Sequence, residues 1–206
     1  YYRELSDGDK PKFVERTKEF ARTKQFIPRQ GAEVTDEVRA IVSAVAVQVS
    51  FGLKKFLLPH FKTIIMYPDS YYSIVTRRYH RGEVNMGGAV VLSWRDLLMG
   101  LKDPHDNFNV GIHEFAHAVF FENLIKNEDY MFIDQPVLDK WRGQAADVMS
   151  KIHRDVPVLF REYAGTNIKE FFAVTSEYFF ETPKVFKKEV PELYETMCKI
   201  YNQRLA

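Results

Sequence analysis

The chain has one cysteine, Cys198, in 206 residues, so an internal disulfide framework is excluded. Cys198 falls in a late helical stretch between Met197 and Ile200, where it reads as a small buried hydrophobe. Charge of one sign is also lacking. Lys and Arg total 29 against 28 Asp and Glu, and the basic residues are scattered. That balance gives no electrostatic footprint for nucleic acid. No apolar run is long enough to cross a bilayer. The most apolar stretch, Ile41 to Leu53, is interrupted by Ser43, Gln48 and Ser50 and reads as a core helix. Internal repeats and low-complexity segments are absent. The sequence starts at Tyr1 rather than Met, so a leader or anchor upstream would not be visible in it, and the compartment expected from the chain itself is the cytoplasm.

What is present suits one domain, 1–206, with a hydrophobic fraction of 46%. Helical spacing from Pro11 to Lys24 is followed by a loop at Pro28–Gly31. A second helix starts at Thr35 as N-cap and runs to about Leu53. Short strands are expected at Lys62–Tyr67, more weakly at Tyr72–Tyr79, and at Ala89–Leu92. Ser93, with Asp96 three residues on, opens a helix ending near Gly100. The remainder reads as helical: about Phe108 to Leu124, a linker containing Pro136, about Val137 to His153, a short piece from Pro157, and Asn167 past Glu181. Pro183 and Pro191 punctuate the last helices. The expected class is α+β, predominantly helical. An N-terminal helical and β part, 1–105, would precede a helical part, 106–206, and a small sheet with Ala89–Leu92 would edge the functional cleft.

The chemistry is concentrated in His113-Glu114-Phe115-Ala116-His117. Imidazoles four residues apart lie one turn apart on one helix face, so both can reach one metal ion. Glu114 projects beside that metal, where it can take a proton from a water; this is the H-E-x-x-H pattern of zinc peptidases. The structural alternative is a pair of hydrogen-bonded core histidines and a solvated Glu. Against it, Ile112, Phe115, Ala116, Val119 and Phe120 make the surroundings apolar, and three polar groups buried there need a partner.

A catalytic zinc site needs a third protein ligand and one open position. A third His ten residues after the first is excluded, because position 123 is Asn and position 120 is Phe. Downstream, Glu170, Val174, Glu177 and Glu181 share one helix face. Glu170 leads as candidate, Glu177 follows, and Glu162 and Glu122 remain behind them. Glu170 also has a structural explanation, since Asn167 three residues earlier has the spacing of a capping box.

At these residues the chain resembles a known family. His113–His117, the run Tyr163-Ala164-Gly165-Thr166-Asn167 leading into Glu170–Phe180, Tyr67-Pro68-Asp69, Gly82-Glu83 and Val90–Trp94 are similar to the Mlc titration factor A (MtfA) family of zinc peptidases. The opening, Tyr1-Tyr2 through Glu37, matches as well, so the resemblance covers nearly the whole chain. The C-terminal motif also resembles the catalytic domain of anthrax lethal factor, which has a Tyr seven residues before its ligand Glu. The resemblance implies a gluzincin-type hydrolase holding one Zn²⁺ per chain through His113, His117 and Glu170. In it Glu114 is the general base and Tyr163 a catalytic group; otherwise Tyr163 is an interface residue beside Phe160. It implies a peptide or protein substrate, with aminopeptidase and endopeptidase action both open, and a protein regulator as a second kind of partner. The family's Leu-Asp pair after the second metal His is replaced here by Val119-Phe120, which leaves Glu122 as the candidate acid to orient a histidine. The repressor that partners the family's namesake is not carried over. A regulatory, protein-binding module with little turnover is the alternative function.

Overall fold

A computed structural model describes residues 1–74, 76–125 and 133–206. Among them are eight α-helices and two small sheets, so the α+β expectation holds. Helix α1 (Asp9–Thr23) buries Phe13 and Phe20 on one face. Helix α2 (Asp36–Ser50) begins where the sequence places it: the Thr35 hydroxyl accepts from the Val38 amide at 3.3 Å. Val42, Val45, Ala46 and Val49 are buried, which accounts for the apolar stretch noted above as a core helix. No helix among the described residues is long and apolar enough to cross a membrane.

Strands β1 (Gln25–Pro28), β2 (Thr63–Tyr67) and β6 (Ala89–Ser93) pair in parallel. Strand β5 (Gly82–Asn85) adds antiparallel to β6, giving the order β1-β2-β6-β5. Two short strands, β3 (Tyr71–Ser73) and β4 (Arg78–His80), form a hairpin where one weak strand was expected. Two of these elements correct the sequence reading. β1 fills the gap between the helix expected to end at Lys24 and the loop expected from Pro28, where no strand was expected; it is four residues long and ends in proline, and its parallel partner lies 38 positions further on (Gln25 beside Thr63). The second correction concerns the cleft. Strand β6 lies between β2 and β5, so the edge belongs to β5.

The second half is helical: α3 (Trp94–Lys102), α4 (Val110–Ile125), α5 (Gln135–Ile152), α6 (Ile168–Glu181), α7 (Pro183–Glu189) and α8 (Pro191–Tyr201). Pro136 is not in a linker but in the first turn of α5, where its missing N–H costs nothing. The rest of that expected linker, 126–132, lies outside the described residues. Pro157 starts no helix; a 3₁₀ turn, Glu162–Gly165, follows instead. Trp141, Phe171, Phe172 and Tyr201 are fully buried around α6, with the Trp141 and Phe172 rings 5.2 Å apart. Each such side chain contributes roughly 1.5–3 kcal/mol by burial. This aromatic packing fixes the rotation of α6, and so the direction in which Glu170 and Glu177 point. Buried side chains from 1–105 and from 106–206 merge into one hydrophobic cluster.

Candidate metal centre and active-site cleft

Helix α4 starts at Asn109, whose side-chain oxygen accepts from the Ile112 amide at 3.1 Å. One turn apart on this helix, the His113 and His117 rings stand with centroids 4.7 Å apart. Helix α6 is capped by Asn167, which accepts from the amides of Lys169 and Glu170. The Glu170 carboxylate turns away from the cap. Its Oε2 lies 3.1 Å from His113 Nε2 and 3.4 Å from His117 Nε2. Among the described residues, His113, His117 and Glu170 are the group able to hold a metal ion, with donor atoms all within 4.8 Å of one another.

Glu177, two turns along α6 from Glu170, approaches the other side of the His113 ring. Its Oε2 is 3.2 Å from His113 Nδ1, its Oε1 accepts from the Asn109 amide at 2.9 Å, and Arg161 pairs with it. Glu177 therefore meets the edge of the His113 ring opposite to the one that Glu170 meets. Glu162 is exposed in the 3₁₀ turn, and Glu122 accepts from the His60 amide. On His113, the carboxylate contact at Nδ1 comes from Glu177. His117 has no such support: its buried Nδ1 finds no hydrogen-bond partner among the described residues. That agrees with the missing Leu-Asp pair after it in the sequence.

Glu114 is buried against β5. A Cβ at Gly82 would stand 2.6 Å from Glu114 Cγ and 2.8 Å from its Oε1, so glycine is what lets the strand lie on the carboxylate. Gly82→Ala should push Glu114 aside and lower turnover by about a hundredfold, the scale of a 1 Å misplacement, with metal content unchanged. Unaltered kinetics would show that the carboxylate has room to spare. Tyr163 is half exposed, stands near the Glu170 carboxylate and has its ring centroid 6.2 Å from that of His113. Phe160 packs instead with Phe171, Tyr178 and Phe186, so Tyr163 faces the donors rather than the Phe160 interface.

A family model described as glucose-regulated metallo-peptidase M90 matches residues 1–202. The chain belongs to this family. Among similar proteins, an uncharacterized protein of Synechocystis sp. is 28% identical over 217 residues, covering 98% of this chain and 79% of that protein. Mlc titration factor A of Cronobacter sakazakii is 26% identical over 218 residues, covering 97% and 81%. Its counterpart from Yersinia pestis is 26% identical, covering 97% and 79%. This M90 chain is thus of a metallopeptidase type, and a metal is implied.

The residues present fit a metal. Ligand atoms about 2.0–2.2 Å from a tetrahedral zinc lie roughly 3.3–3.6 Å apart, close to the spacing of the two Nε2 atoms from Glu170 Oε2. Because Glu177 holds Nδ1–H of a neutral His113, the Nε2 lone pair faces the carboxylate, an arrangement that a cation between them makes favourable. Without a cation a proton must serve. Burial alone would lower the His113 pKa, but the hydrogen bonds it gives to Glu170 and Glu177 outweigh it and raise it to about 10. Burial likewise opposes ionisation of Glu170, and the two imidazoles hold it well below the usual carboxylate range.

A histidine raised from 6.5 to about 10 stabilises the metal-free fold fully below pH 6.5, and that contribution is lost as pH rises through 10. Metal entry near neutral pH must expel this proton. Calorimetric titration of metal in buffers of different ionisation enthalpy should show about one proton released per ion, and affinity that rises with pH. Release of none would mean that His113 is already neutral.

Proposed function

We propose that the protein is a zinc-dependent peptidase of the gluzincin type, in which His113, His117 and Glu170 hold the metal and Glu114 is the general base. The observation that supports it most is the convergence of two Nε2 atoms and one carboxylate oxygen on a single point beside the buried Glu114. Zinc at that point would polarise a scissile carbonyl and lower the pKa of water toward ~7. Glu114 accepts the water's proton and passes it to the leaving amine. Burial pushes the Glu114 pKa up, which makes the carboxylate a stronger base than one in water. Tyr163 stays protonated at neutral pH, because burial and the neighbouring Glu170 raise its pKa to about 12, and it can donate to the oxyanion. Among the described residues no strand pairs with the outer edge of β5, which can take an extended peptide by main-chain pairing.

Metal content of the purified protein, measured by elemental mass spectrometry beside cleavage of a mixed peptide library, tests the reading. About one zinc per chain with cleavage is expected; no zinc after reconstitution would overturn it. Tyr163→Phe should lower the chemical rate by roughly ten- to a thousandfold with metal retained. An unchanged rate would return Tyr163 to a packing role.

The names of the relatives favour one second reading. Mlc titration factor A is named for titrating Mlc, so a protein-sequestering role with weak turnover is the alternative here. Zinc-loaded protein that cleaves no library member yet forms a stoichiometric complex with one protein partner would select it.

A further inference from the structure

Arg161 lies outside the donor set, yet it is tied to both helices that build the site. Its backbone is fixed on either side. Phe160, before it, is buried in the aromatic packing of α6 and α7, with its ring centroid 5.2 Å from those of Tyr178 and Phe186. After it, the Arg161 carbonyl accepts from the Ala164 amide and opens the 3₁₀ turn. The side chain spans from there to α6 and to the segment that leads into α4. One guanidinium nitrogen pairs with Glu177 Oε2 and another donates to the Asn107 carbonyl, while the guanidinium carbon lies 4.5 Å from the Phe108 ring centroid. A planar guanidinium can make these contacts together, where an ammonium group is a single point of charge.

We propose that Arg161 is a positioning residue of the metal centre: by holding Glu177 in place, it keeps the His113 ring aimed at the point where the donors converge. This rests on the metal-site reading above and extends it to a residue that touches no donor atom. Glu177 is 2% exposed, and its Oε2 serves both Arg161 and His113 Nδ1. A carboxylate that deeply buried needs a paired charge, and among the described residues Arg161 is the only Lys or Arg that pairs with it. Charge balance points the same way. Glu170 and Glu177 contact His113, and Glu114 lies beside both imidazoles, so three carboxylates surround two histidines that must be neutral to ligate. Three negative charges are matched by a divalent cation together with one guanidinium, and by neither alone. With Arg161 removed, the Glu177 carboxylate would be free to turn away, and the His113 Nδ1–H would lose the acceptor that fixes the ring.

Zinc affinity, measured on the full chain by competition with a chromophoric chelator, tests this without any turnover. Arg161→Gln should weaken zinc binding by roughly 10- to 100-fold, the cost of losing an outer partner of a ligand. Arg161→Lys should recover part of that loss, because it keeps the charge and gives up the fork. Arg161→Gln also cuts the tie to Asn107, so the decisive comparison is with Glu177→Gln and the double variant. If Arg161 acts through Glu177, the double variant should bind zinc about as weakly as the weaker of the two single variants. Losses that multiply in the double variant, or parental affinity in Arg161→Gln, overturn the proposal. Cobalt(II) in place of zinc gives a spectroscopic signature. Its visible absorption should shift in Arg161→Gln and Glu177→Gln alike, and a parental spectrum in Arg161→Gln would overturn the proposal as well. A parent protein that binds no zinc would sink the metal reading and the proposal with it. A parent holding one zinc per chain beside an indifferent Arg161→Gln would sink the proposal alone.

Discussion

Glu114→Gln should leave the bound metal untouched and lower peptide cleavage by roughly 10²- to 10⁴-fold, the range for loss of a positioned general base. The substitution keeps the shape that packs under Gly82 and removes only the ability to take a proton. The control for unfolding is built in. Burial opposes ionisation of Glu114, so a neutral amide relieves a cost carried by the native fold. The melting temperature should therefore hold or rise while turnover falls. Metal content and Tm measured on the sample used for kinetics separate the outcomes. If more than a tenth of the activity survives with metal in place, the proton is handled elsewhere and the assignment of Glu114 is wrong. If activity and Tm fall together, the carboxylate has a structural part that its geometry does not reveal.

Much of this arrangement was legible because its signals are local. The four-residue spacing of His113 and His117 needs only a helix, and Thr35 announces its helix by capping an amide three residues away. Glu170 and Glu177 were correctly placed on one face. Spacing alone could not rank them, because what separates them is which side of the His113 ring each approaches, and packing of Trp141 and Phe172 sets that. Strands β1 and β5 carried almost no signal. Each is four residues long, and each exists through partners: β1 through distant parallel pairing, β5 as an edge beside β6. Arg161 was missed altogether. An isolated Arg after Phe160 says nothing until folding carries it to Glu177, Asn107 and Phe108. Gly82 was noticed only as part of a family motif, and its reason, the close approach of Glu114, is tertiary.

Glu170→Ala should abolish stoichiometric zinc binding, and its consequences reach beyond the ligand count. Two imidazoles on one helix turn remain, but a two-ligand site leaves two open positions and lacks the carboxylate charge that offsets the cation. Removing even an outer-shell partner of a ligand costs about 10- to 100-fold in metal affinity, so loss of a ligand itself should exceed that. The metal-free variant also loses the acceptor that helps keep His113 protonated. Glu177 still holds Nδ1, so the ring stays oriented while its pKa falls from about 10 toward the ordinary value. The variant's stability should then vary less between pH 6.5 and 10 than that of the metal-free parent, because less of it depends on that proton. Elemental analysis after dialysis reads the first effect, and a pH series of melting temperatures reads the second. Retention of one zinc per chain would pass the ligand role to another acid, and Glu177, on the same helix face, would be the first to test. A flattened pH profile with zinc retained would mean that Glu170 governs the protonation of His113 without ligating. The two measurements together distinguish a ligand from a neighbour.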